Sequence, residues 1–188
     1  MPLEYVFKIT YFSTFSQDLT GWTPLTYAIH KNHLEIAEVL IDNHADIHLE
    51  DKFKFDPLSR AITDDNEQIV ELLSRKGVDV NKNDSIGWLP IHTAIDCKNT
   101  KILIFLLQNG ADINKIEVHE GWNALCQAIH DREANIVKIL LRHGANPNLP
   151  NRGGKSPMTF AIYNKDTTGT LLPIKSIANQ SIKALTNF

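Results

Sequence analysis

Four short stretches carry residue types that could do chemistry. GGKS, Gly153–Ser156, has the ending of a phosphate-binding loop, where backbone amides and a lysine cradle phosphate oxygens. That loop needs a glycine five residues before its last one, and Leu149 stands there. HKNH puts His30 and His33 three residues apart, a start for a metal site that lacks further ligands. The acidic run DDNE, Asp64–Glu67, brings no base, nucleophile or glycine cradle with it, and is expected to cap a helix, where carboxylates oppose the positive dipole end. Cys97 and Cys126 are too few for a metal cage or a disulfide scaffold, and neither can be assigned a histidine or helix terminus that would activate a thiol. No catalytic residue, cofactor site or metal site is expected, and the chain is taken not to be an enzyme.

The elements that must position these residues emerge from an internal period. GWTPLTYAI at Gly21 returns as KFDPLSRAI at Lys54, GWLPIHTAI at Gly87, GWNALCQAI at Gly121 and GKSPMTFAI at Gly154, at offsets of 33, 33, 34 and 33. Ala-Ile recurs in register each time, from Ala28-Ile29 to Ala161-Ile162. A second phrase follows the first four copies, as in IVELLSRKGVDVN and IVKILLRHGANPN. Thr23, Asp56, Asn123 and Ser156 are N-cap types, and Pro24, Pro57, Pro90 and Pro157 suit a first helical position. The second phrase has helical spacing, with Ile36, Val39 and Leu40, or Ile69, Leu72 and Leu73, facing inward. It ends at Gly77, Gly110 and Gly144, in a slot that needs a left-handed backbone. Each unit therefore reads as two short helices.

These motifs resemble the ankyrin repeat, a 33-residue unit with a T-P-L-H-x-A signature; TPLTYA (23–28), LPIHTA (89–94) and GADIN (110–114) carry the likeness. It covers roughly residues 18–164. The resemblance implies an all-α solenoid, a right-handed stack of helix-turn-helix units with β-hairpin loops at one edge. The chain divides as a single domain, 1–188, with an N-terminal cap at 1–17, units at 18–50, 51–83, 84–117 and 118–150, and a C-terminal capping unit at 151–188. Residues 2–11 fit a half-repeat cap, with an edge strand from Tyr5, Phe7, Ile9 and Tyr11 as the competing assignment. Residues 164–173 lengthen a loop before a last helix around Ile174–Leu185. Departures from the pattern are Lys54 for the hairpin glycine, His44 for the helix-ending glycine and Leu89 for a capping residue, each costing about 1 kcal/mol. One extra residue is expected to bulge the loop near Lys115–Val118. His92 falls where ankyrin units place a histidine that bonds neighbouring turns.

The balance of charge, −3 overall, gives no basic stripe for nucleic acid. No stretch approaches 18 consecutive apolar residues, so no membrane span is expected. Glu4 and Lys8 interrupt the first apolar run, so no signal peptide is expected, and the sequons at Asn83 and Asn179 would be idle in a reducing, cytoplasmic setting. By the resemblance, a protein or peptide partner would meet the hairpin tips and the ends of the first helices: Trp22, His30, Lys31, Phe53, Phe55, Asp64, Trp88, Asp96, Trp122, His130 and Asp131. Trp22, Phe55, Trp88 and Trp122 form one aromatic column, open to two roles, hairpin support and partner contact. The family can also be asparagine-hydroxylated at the turn, in the slot of Asn81, Asn114 and Asn148, where the simpler role is hydrogen bonding of the turn. The expected function is a non-catalytic interaction module, monomeric alone. The alternative is the ankyrin part of a larger enzyme or of a host-directed bacterial effector acting in host cytosol; 21 Ile and 16 Asn would suit an AT-rich genome.

Overall fold

A computed structural model describes residues 16–163. The expected N-terminal cap, the lengthened loop and the last helix at Ile174–Leu185 lie outside the described residues. Within them run α1 (Pro24–His30), α2 (Leu34–Asp42), α3 (Pro57–Thr63), α4 (Glu67–Arg75), α5 (Pro90–Asp96), α6 (Thr100–Gln108), α7 (Ala124–His130), α8 (Ala134–Arg142) and α9 (Pro157–Tyr163). The odd-numbered helices, seven residues each, stack on one another; α2, α4 and α6 stack likewise as a second layer.

Local chemistry sets the starts and stops. Thr23, Asp56 and Asn123 accept from the amides of Thr26, Ser59 and Cys126, and the Ser156 hydroxyl accepts from that of Thr159. Leu89 makes no such bond but is buried to 1% exposure, so its burial offsets the missing cap. Asn66, not an aspartate, is the N-cap of α4; its side chain turns away to donate to Ile29 O, leaving Asp64 as the C-cap of α3. The left-handed slot after each second helix is kept even without glycine, with φ of 66° at His44 and 70° at Lys54 in the hairpin. The inward face of α2 differs from the spacing-based expectation: Ala37, Leu40 and Ile41 are buried while Val39 is exposed. Packing between the layers is continuous, with Ala28, Ala61, Ala94, Ala128 and Ala161 each at 4% exposure or less.

The loops are narrower than ladder-forming β-hairpins. Asp18, Asp51, Asp84 and Asn151 each bond back to the residue four further on through backbone amides. Their side chains take the amides a ladder partner would otherwise need: Asp51 Oδ1 accepts from Phe53 and Phe55, and Asp84 Oδ1 from Ile86 and Trp88. The extra residue sits later than expected, between Glu117 and Trp122. There the bond spans five residues, and the longer glutamate replaces aspartate to reach His119 and Trp122 amides. The one isolated antiparallel bridge among the described residues, Ile116 with Asn123, lies in this loop. Neighbouring loops join edgewise through Lys52 N–H to Thr20 O and Arg152 N–H to Gly121 O. A Cβ on Gly21 would come within 2.6 Å of the Lys52 nitrogen, which is why that position carries none.

Candidate functional site

The groove side is built from the aromatic column and the helix residue five positions after each of its members, Tyr27, Arg60, Thr93 and Gln127; Phe160 holds the same slot after Lys155. What fills that second slot decides what the groove looks like. At the first step, Trp22 meets Tyr27 edge-on at 4.8 Å and His30 at 5.0 Å. The Arg60 guanidinium lies between Trp22 and Phe55, 5.3 and 4.7 Å from their ring centres, and donates from Nη2 to Asp51 Oδ2 at 2.5 Å. His30 Nδ1 is 3.1 Å from Asp64 Oδ2, while all four residues of HKNH are exposed where α1 turns into α2. Two buried donors in this notch, Trp22 Nε1 and Arg60 Nε, have no partner among the described residues. At the far end, Trp122 rests on His130 at 4.6 Å and on Phe160 at 5.5 Å.

Between Trp88 and Trp122 the slot that Arg60 holds in the first notch is taken by Gln127, too short to close the notch, and a pocket of about 460 Å³ opens. Its walls are the two tryptophans; Asp96, His130 and Asp131 come from helix ends, and Glu117, His119 and Glu120 from the loop. Four carboxylates and no lysine or arginine line it. His92 and Gln127 form its buried floor. The His92 Nε2 donates to Trp122 O at 3.3 Å, the bond between turns expected of this slot, and Gln127 Nε2 donates to His92 O. With Nε2 protonated, Nδ1 is a bare acceptor; it and Gln127 Oε1 are buried without partners. Burial pushes the His92 pKa down to about 4, with the Glu117 charge opposing, so the ring is neutral at physiological pH. For Glu117, burial raises the pKa, but amides of Trp122, His119 and Glu120 and the nearby His92 lower it on balance and keep the carboxylate charged.

The structure thus sorts the expected partner residues into two groups. Trp22, His30, Phe55 and Asp64 gather around Arg60, while Trp88, Asp96, Trp122, His130 and Asp131 gather around the pocket. Lys31, the C-cap of α1, and Phe53, on a loop tip, belong to neither. Arg60, His92 and Gln127 were missed as groove residues, although their spacing from the aromatic column is visible in the repeat. Asn81 bridges units, donating to Gly110 O and accepting from the Asp112 amide, and Asn114 accepts from the Asn146 amide. Asn148 is exposed.

The model of ankyrin repeats in three copies matches residues 43–117 and 115–181, and that of the single ankyrin repeat matches residues 20–52. The chain belongs to the ankyrin repeat family. Ankyrin units are in general non-catalytic and bind other proteins. A search of the curated proteins found no match. Among the described residues of this ankyrin stack, no helix is long and apolar enough to cross a membrane. No three His, Cys, Asp or Glu side chains among them converge as a metal site.

Proposed function

We propose that this ankyrin protein is a non-catalytic binding module that takes a protein or peptide segment along its loop tips and the inner ends of its first helices. One observation carries this. The slots that build the core repeat from unit to unit, whereas the slots facing the groove change identity and stay open. Leu19, Phe53, Ile86 and Val118 stand exposed on four successive loop tips, giving a partner apolar surface beside the Trp88–Trp122 pocket. Buried aromatic side chains dominate interface energies, and two tryptophans flanking one pocket suit that role.

Affinity capture from native lysate tests this, comparing the wild type with Trp88→Ala and with the Trp88→Ala/Trp122→Ala pair. Capture is expected to fall with the single change and vanish with the double. The helical signal should stay nearly intact. Trp122 also rests on His130 and Phe160, so Trp88→Ala is the cleaner arm. Capture unchanged in a folded double variant would refute the assignment.

A further inference from the structure

The repeat supplies its own precedent for what the open pocket takes. Shifting from the first notch to the third maps Trp22 onto Trp88, Phe55 onto Trp122, Asp51 onto Glu117 and Arg60 onto Gln127. In the first notch an arginine of this chain lies between the two aromatic faces and pairs with the loop carboxylate. In the third, the aromatic faces and the loop carboxylate remain, and the arginine is replaced by a side chain too short to reach between them.

We infer that the pocket between Trp88 and Trp122 receives an arginine side chain of the partner, which occupies the notch as Arg60 occupies the first. This rests on the groove being the binding surface. Beneath the pocket, His92 Nδ1 and Gln127 Oε1 are acceptors without partners and with essentially no accessible surface, so they add negative potential to the floor without offering a direct contact. Glu117 spends one lone pair of each oxygen on the loop amides and keeps a second. Asp96, Glu120 and Asp131 add negative charge at the rim, where only Asp131 bonds a neighbour, His130. A guanidinium is planar, stacks on indole faces and offers five donors in a fixed fork. An ammonium is a compact, strongly hydrated point charge with no planar face to stack. A trimethylated lysine has no N–H to donate to Glu117 or to the rim carboxylates.

The test titrates the full chain with an acetylated, amidated Ala-Ala-Arg-Ala-Ala peptide and with its citrulline, lysine and trimethyllysine counterparts, read by NMR at the indole N–H signals. Trp88 and Trp122 signals are expected to move and Trp22 to stay. Citrulline, equal in shape but uncharged, should bind about tenfold more weakly, the ratio that a lost charge-assisted bond implies. Gln127→Arg, which fills the notch from within, should abolish peptide binding. Asp96→Asn/Asp131→Asn, at exposed positions, should weaken it several-fold without changing the unfolding midpoint, and carries the test alone if Gln127→Arg does not fold. Equal binding of arginine and citrulline, preference for either lysine form, or no movement at Trp88 and Trp122 overturns the inference. Those results leave the groove standing if the tryptophan variants still lose native partner; unchanged capture by the tryptophan variants would instead sink the groove itself.

Discussion

Arg60 and Asp51 make the sharpest stability prediction. The Asp51 side chain is fully buried and that of Arg60 is 12% exposed, and the carboxylate also accepts from two loop amides. Asp51→Asn keeps an oxygen for the amides but leaves the guanidinium uncompensated. Removing one partner of a buried pair costs about 3–5 kcal/mol, and the residual exposure of Arg60 argues for the low end, about 3 kcal/mol. Asp51→Ala adds the loss of two buried amide bonds, about 1 kcal/mol each. Arg60→Met should cost less than Asp51→Ala, about 3 kcal/mol, because the amides keep Asp51 Oδ1 but Oδ2 is left unpaired in a fully buried carboxylate. Urea unfolding followed by circular dichroism measures this. At a slope near 2 kcal/mol per molar, Asp51→Asn should lower the midpoint by about 1.5 M. An Asn variant within about 0.5 kcal/mol of wild type, or Arg60→Met costing more than Asp51→Ala, would refute the asymmetry.

His92 gives a pH dependence. Its folded pKa, about 4, lies below the ordinary 6.5, so the unfolded chain binds more protons between these values; stability is full above pH 6.5 and falls as pH drops toward 4, by roughly 3 kcal/mol at most. His92→Gln should flatten that limb of a stability-versus-pH curve measured by denaturant unfolding. The left-handed Lys54, φ 70°, predicts that Lys54→Gly raises stability by about 1 kcal/mol in the same unfolding assay, whereas Leu89→Thr lowers it because the buried leucine outweighs the gained cap. Burial raises the Cys126 thiol to about 12, and burial with the charges of Asp96, Asp65 and Asp64 raises that of Cys97. Iodoacetamide at neutral pH, followed by intact mass, should therefore label Cys97 slowly and Cys126 only after unfolding. Native-source protein digested for mass spectrometry should show one added oxygen at Asn81 or Asn114 if the turn is hydroxylated; unmodified peptides at both would end that proposal.

The helices were legible because their determinants are local. A capping oxygen, a proline at the first position and an apolar stripe each act within one turn, and the period repeats them until chance is excluded. Val39 escaped because α2 rotates its stripe to bury Ala37, and helical spacing alone does not say which adjacent row faces in. The loop carboxylates escaped for a different reason. Asp18, Asp51, Asp84 and Glu117, with the carboxamide of Asn151 in the last unit, recur at the same period, but their work is to satisfy amides that a ladder would otherwise satisfy, and that demand shows only once the loop closes. Trp88 and Trp122 were named from the column, yet the pocket between them depends on side chains 33 to 34 positions away, across a unit boundary.

A solenoid turns such long-range dependence into a comparison within one chain. The notches up to Trp122 share their walls, an aromatic slot and a loop acid tied to the scaffold, while the last has Lys155 and Asn151 in those positions. The slot between them varies in identity, although Thr93, Gln127 and Phe160 in it are all buried. Arg60 fills it with charge, Phe160 with an aromatic ring, and Gln127 hardly fills it. A filled notch covers its aromatic faces; the open one leaves Trp88 and Trp122 lining a pocket. The same 33-residue period that fixes the fold therefore marks, by the unfilled notch between Trp88 and Trp122, where a partner's side chain would complete the series.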